Sequence, residues 1–172
     1  LMVLIIILVF IVMAAQFESL TDPFVIMFSI PFAFTGIVLG LAVTQTPLGV
    51  MALIGVIMLM GIVVKNGIVL IDYTILCRER GMGIITSVVT AGKSRLRPVL
   101  MTTLTTVLGM IPMAVGTGEG SEMWRSMGMT VAWGLSVSTL ITLIIVPTVY
   151  AVFAANGVKR RRRKIRKALR NN

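Results

Sequence analysis

The stretch LGVMALIGVIMLMGIVVKNGIVLIDY, residues 48–73, is apolar almost throughout. Runs of about 18 or more mainly apolar residues are typical of transmembrane helices. Lipid supplies no hydrogen bonds, so the backbone must satisfy its own polar groups, and a helix does this within one segment. The strands of a membrane barrel alternate apolar and polar residues, and this stretch does not. It therefore predicts a membrane-spanning helix, although Lys65 and Asn66 lie inside it.

The rest of the chain shows the same pattern. It has 172 residues, of which 57% are hydrophobic, and no ordinary soluble domain has this composition. We predict an all-α fold, a polytopic membrane helix bundle over residues 1–155, followed by a basic tail at 156–172. Five transmembrane spans are expected, at about 1–16, 24–43, 48–73, 98–116 and 127–153.

The basic residues predict the orientation of these spans. Nine of the 16 basic residues lie in the tail, and five more lie between the third and fourth spans. The positive-inside rule then places the 74–97 loop and the C-terminus in the cytoplasm. Within that loop a short surface helix is expected at 84–93, and Pro98 is expected to open the fourth span.

Lys65 is too deep in its span to reach the interface easily, since Tyr73 lies about 12 Å further along the helix axis. A lysine at the centre of a membrane helix costs about 2.5–3.5 kcal/mol on insertion, and such residues are usually paired and functional. Asp72 is about 10 Å away along the axis, too far for an ion pair. We therefore expect the carboxylate partner in another segment or another subunit.

The fourth span offers polar groups that could serve Lys65. Thr102 and Thr106 recur at helical spacing, and Arg95 lies one heptad before Thr102. A lysine, a threonine stripe and an arginine together are typical of a proton relay in a transporter. Three alternatives stay open: the threonines bond back to their own helix, Arg95 anchors the topology, and Asn66 forms a hydrogen bond between helices.

Small residues recur at helical spacing on two other spans. Gly36 and Gly40 form a GxxxG pattern, and Gly134 and Ser138 belong to a similar stripe on the fifth span. Such stripes let helices approach closely in lipid, so these residues predict helix packing.

Several function classes lack the residues they need. The chain has one cysteine, Cys77, and no histidine, which excludes an internal disulfide and leaves little for a metal site. Nothing supplies a nucleophile with its base, or a phosphate-binding loop, so an enzyme is not expected. Neither a metal nor a cofactor is expected.

Three motifs resemble one known family. VVKNGIVLIDY, RLRPVLMTTLTTVLGMIPMA and TGEGSEMWRSMG resemble the C-terminal transmembrane half of resistance-nodulation-division (RND) efflux pumps, most closely the hydrophobe/amphiphile multidrug branch. The resemblance runs from Leu1 to about Phe153. It implies that the five spans are the eighth to twelfth helices of a twelve-helix subunit, and that the chain is a fragment.

The resemblance also implies a function and a set of partners. Such pumps are homotrimers of the inner membrane that exchange protons for small amphiphilic substrates, with a periplasmic adaptor and an outer-membrane channel in Gram-negative cells. Their relay lysine pairs with two aspartates in the N-terminal half, which lies outside this sequence. The resemblance assigns Lys65, Asn66, Arg95 and Thr102 to this proton relay. No nucleic-acid partner is implied.

Two other interpretations remain open at this point. One is another RND branch that exports metals, lipids or proteins. The other is a free-standing membrane anchor or scaffold whose basic tail binds anionic lipid, at about 1 kcal/mol per basic residue. The DNA upstream of Leu1 separates the anchor from the pump, since only the pump requires an open frame encoding paired aspartates in an apolar helix.

Overall fold

The fold, described from a computed structural model, is all-α, as predicted. The structure describes the backbone of residues 2–170 and the side chains of residues 3–158. In this part of the chain there are six helices and no strand: α1 (Met2–Phe17), α2 (Thr21–Met27), α3 (Ile30–Thr44), α4 (Val50–Glu79), α5 (Ile84–Val115) and α6 (Ser121–Arg170).

Four helical stretches are long and apolar enough to cross a membrane. They are Thr21–Thr44, Val50–Glu79, Ile84–Val115 and Ser121–Val158, and a shorter apolar helix covers Val3–Phe17. The predicted spans overlap these helices, the first of them only the shorter one, and the chain is a multi-pass membrane protein.

The stretch Thr21–Thr44 is divided into α2 and α3 by Phe28 and Ser29. Pro31, in the first turn of α3, has no N–H to donate to the carbonyl one turn earlier. Close to this point, the Ser29 hydroxyl donates to the Ile26 carbonyl at 2.6 Å. Pro31 therefore interrupts the helix, and the Ser29 side chain satisfies one of the carbonyls at the break.

The connection between α4 and α5 is much shorter than the expected loop. Only residues 80–83 lie outside the helices, and Gly81 supplies the positive φ (85°) of the turn. The expectation that Pro98 opens a separate helix is wrong, because α5 runs through Pro98 without a break. Neighbouring helices and threonine hydroxyls make proline tolerable inside a membrane helix.

The last helix is also longer than expected. α6 passes through Pro147 and continues through the basic stretch to Arg170, so the backbone has no break at the predicted boundary at 155. The side chains of the tail from residue 159 onward lie outside the described residues.

α6 packs against α3, α4 and α5. The contact with α3 is close because glycines lie on both helices. A Cβ atom added to Gly36 would lie 2.8 Å from Val137 Cβ, and one added to Gly134 would lie 2.9 Å from Ile37 Cγ1. A Cβ atom on Gly40 would clash with Trp133 Cβ. Ser138 is fully buried in the same helix.

Gly40→Ala tests the importance of this close approach. The added methyl group meets Trp133 Cβ, which cannot move without its backbone, so we expect a loss of about 1–3 kcal/mol in the free energy of unfolding. Gly61→Ala is the matched control, since a Cβ there meets nothing within 4 Å. It should be neutral or stabilising by up to about 1 kcal/mol through helix propensity. Unfolding in detergent–SDS mixtures measures both, and equal effects would contradict the packing account.

Candidate proton-relay site

Lys65 and Asp72 lie on the exposed side of α4. The exposed positions of this helix include Met58, Gly61, Lys65, Asp72 and Leu76, which follow helical spacing along one stripe. The opposite side is buried against the other helices, as at Val63 and Leu70. Both charges therefore face away from the helices that pack around α4.

Arg95 reaches α4 from α5. Its guanidinium carbon lies 4.7 Å from the centre of the Tyr73 ring, a distance at which a cation is attracted to the ring face. The Nε atom of Arg95 is buried and has no hydrogen-bond partner among the described residues. Arg95 is thus held at the α4–α5 contact by an aromatic ring, with one N–H unused.

The register of the two helices brings Thr102 to the depth of Lys65. The short 80–83 connection makes α4 and α5 antiparallel neighbours. Arg95 lies beside Tyr73, and seven residues along each helix lead to Thr102 on α5 and to Asn66 on α4. Both steps cover about 10 Å and return to nearly the same face. Counting along the two helices therefore predicts that Thr102 and Asn66 lie at about the same depth, one residue along α4 from Lys65.

The Thr102 hydroxyl bonds within its own helix. It donates to the carbonyls of Pro98 at 3.2 Å and Val99 at 2.9 Å, and the Thr106 hydroxyl donates to the Thr102 carbonyl at 2.8 Å. The back-bonding of these threonines to their own helix, one of the alternatives left open above, is therefore seen. A hydroxyl has one donor and two acceptor lone pairs, so Thr102 can still accept a hydrogen bond.

The structure also links residues that sequence reasoning missed. Thr103, next to Thr102, is buried and its hydroxyl lies 3.1 Å from that of Thr139 on α6. Tyr73 holds Arg95, and Arg78 donates to the Tyr150 hydroxyl at 3.0 Å. Spacing along one helix could not find these pairs, because each joins two different helices.

Comparison with protein families shows which family the chain belongs to. A family model described as the AcrB/AcrD/AcrF family matches residues 1–154. The chain belongs to this family. The members of this family are RND transporters rather than chemical catalysts.

The relatives of this chain are named for different functions. The swarming motility protein SwrC of Bacillus subtilis is 42% identical over 85% of this chain. The cobalt-zinc-cadmium resistance protein CzcA of Cupriavidus metallidurans and the multidrug resistance protein MdtC of Erwinia tasmaniensis are each 38% identical over 83% of it. This AcrB/AcrD/AcrF family member spans 14% of the length of each of these three relatives.

A solved structure is similar as well. The crystal structure of a heavy metal efflux pump matches with a TM-score of 0.79 and 31% sequence identity. The match covers 87% of this chain and 14% of that one. The helix arrangement described above is therefore the arrangement found in one part of that pump.

A double-mutant cycle tests the contact between Tyr73 and Arg95. Stability is measured for Tyr73→Leu, Arg95→Gln and the double variant, and we expect a coupling of about 0.5–2 kcal/mol, the range for a cation over an aromatic ring. Tyr73→Phe is the control that keeps the ring face, and it should retain most of the coupling. A coupling near zero in the first cycle would contradict the contact.

Proposed function

We propose that the chain carries the lysine side of the proton relay of an RND drug/proton antiporter. Lys65 supplies the positive charge that the relay binds and releases. Arg95, Thr102 and Asn66 form its polar surroundings at the α4–α5 contact. The single observation that carries the proposal is a lysine deep in an apolar helix, on a side that the helices described here leave uncovered.

The free-energy cost of placing the Lys65 ammonium group inside the membrane requires a counter-charge. Asp72 lies on the same exposed stripe but about 10 Å further along the axis. The other carboxylates lie near the ends of the helices, at Glu18, Asp22, Glu79, Glu119 and Glu122. A carboxylate at the depth of Lys65 must therefore come from another segment or another subunit, which can approach the exposed side of α4.

The charge change explains how such a pair responds to protons. While the partner carboxylates are ionised, they attract the Lys65 ammonium strongly, because the membrane interior screens charges weakly. When a carboxylate oxygen accepts a proton, that attraction is lost and the ammonium becomes free to move. Thr102 can accept a hydrogen bond from Lys65 or from water with its free lone pairs.

The substrates we propose are small amphiphilic compounds. The support is the resemblance of the KNGI and GEGSE contexts to the multidrug branch. Sequence identity alone does not separate the branches, because a relative named for metal resistance and one named for multidrug resistance are equally similar. Growth of cells that carry the protein, with amphiphilic drugs and separately with Co²⁺, Zn²⁺ or Cd²⁺, distinguishes the two classes. Protection against the metal ions alone would contradict the amphiphile assignment.

We propose the cytoplasmic (inner) membrane as the location, with the C-terminus in the cytoplasm. The support is the concentration of basic residues in the tail and between the predicted third and fourth spans. By the same resemblance, the working unit is a homotrimer that includes an N-terminal half with an aspartate pair. In a Gram-negative cell it would join a periplasmic adaptor and an outer-membrane channel.

Lys65→Met tests the relay in the intact transporter. The variant removes the charge and keeps the length of the side chain, so we expect drug efflux and drug-induced proton movement to be lost while the protein level stays the same. Both are measured with the purified transporter in vesicles under an imposed pH gradient. Lys93→Met is the matched control, because Lys93 is exposed on α5 and lies outside the proposed relay. Unchanged efflux in Lys65→Met would refute the role of the lysine.

A further inference from the structure

A groove of about 620 Å³ opens at the end of the bundle where α4 ends. Three parts of the chain form its walls: the α1–α2 junction, the last turns of α4, and the part of α6 from Tyr150 to Val158. The positive-inside rule places this end of the bundle at the cytoplasmic surface. The proposed relay uses none of these residues.

One wall of the groove is polar and carries both signs of charge. Arg78 is half-buried and donates from one guanidinium nitrogen to the buried Tyr150 hydroxyl at 3.0 Å. A guanidinium has five N–H groups, so Arg78 keeps donors for a further anion. The half-buried Asp22 and the exposed Glu79 line the same groove and offer carboxylate oxygens to a cation.

The other wall is apolar and continues onto the outside of the bundle. It is lined by Phe17, Ile75 and Phe153. The Phe153 ring packs edge-on against Phe24, with ring centres 6.3 Å apart. Both rings are exposed, Phe24 by 56% and Phe153 by 43%. A chain of CH₂ groups can thus leave the groove along this apolar surface, which the helices described here leave uncovered.

We propose that this groove binds the headgroup of a phospholipid that bears a primary ammonium, of the phosphatidylethanolamine class. Arg78 binds the phosphate, Asp22 and Glu79 accept hydrogen bonds from the ammonium, and the acyl chains lie along Phe153. Among the described residues that line the groove, one cation and two carboxylates match one phosphate and one ammonium. An anionic headgroup would meet two carboxylates of its own sign there. A quaternary ammonium has no N–H to donate to them. The proposal does not depend on the proton relay.

Native mass spectrometry of the intact purified protein tests the assignment. Phosphatidylethanolamine, phosphatidylcholine and phosphatidylglycerol with the same acyl chains are added in turn. We expect one ethanolamine lipid to bind per subunit, with a Kd about tenfold lower than that of the other two lipids. This is about the factor by which one charge-assisted hydrogen bond changes a Kd. Equal retention of the three lipids, or tightest retention of phosphatidylglycerol, would overturn the proposal.

Variants then place the lipid in the groove. Glu79→Gln and Arg78→Gln should each weaken the ethanolamine lipid about tenfold, and Glu79 is exposed, so its substitution does not disturb packing. Arg80→Gln and Glu18→Gln are matched controls, exposed charges at the same end that do not line the groove, and they should bind as the parent does. Loss of binding in the controls, or its retention in both groove variants, excludes this site. An amphiphilic amine without a phosphate group is a further probe. If it displaces the lipid completely and its binding is unchanged in Arg78→Gln, the phosphate site at Arg78 is also excluded.

Discussion

The close approach of α6 to α3, α4 and α5 is the contact on which the rest of the bundle depends. Between helices in lipid the hydrophobic effect gives little drive, so association relies on van der Waals contact and on hydrogen bonds. Glycines at the α3–α6 contact allow that approach, and the Thr103–Thr139 hydroxyl pair joins α5 to α6 in the interior. α4 also packs closely against α6, at Gly55, and this contact fixes which side of α4 is buried.

The rotation of α4 about its axis decides what it presents to its surroundings. Its buried side, with Val63 and Leu70, packs into the core, and its exposed side carries Lys65 and Asp72. A charge on the uncovered side of an apolar helix is stable in a membrane only if more protein or water reaches it. The fold of these residues and the proposed relay are therefore connected, because the packing that completes the bundle leaves Lys65 available to a partner.

The helices are also longer than a bilayer requires. A span needs about 20 residues, whereas α4 has 30, and its last turns carry Arg78 and Glu79. These charged turns, with Asp22 at the start of α2 and Tyr150 on α6, form the polar wall of the groove beside an apolar rim. A helix end that passes from hydrocarbon into water provides both kinds of surface at one place, and a phospholipid has the same two-part character.

The sequence predicts the all-α class, the apolar spans and the depth of Lys65. The hydropathy of a segment and the hydrogen bonding of its backbone are properties of that segment by itself. The absence of a carboxylate at that depth also followed from counting along the chain. The continuity of α5 through Pro98, the Arg95–Tyr73 contact and the Thr103–Thr139 pair could not be predicted. They depend on how each helix is rotated and how far it is shifted against its neighbour. Rotation and register are set by close packing between helices, and only the tertiary structure decided them.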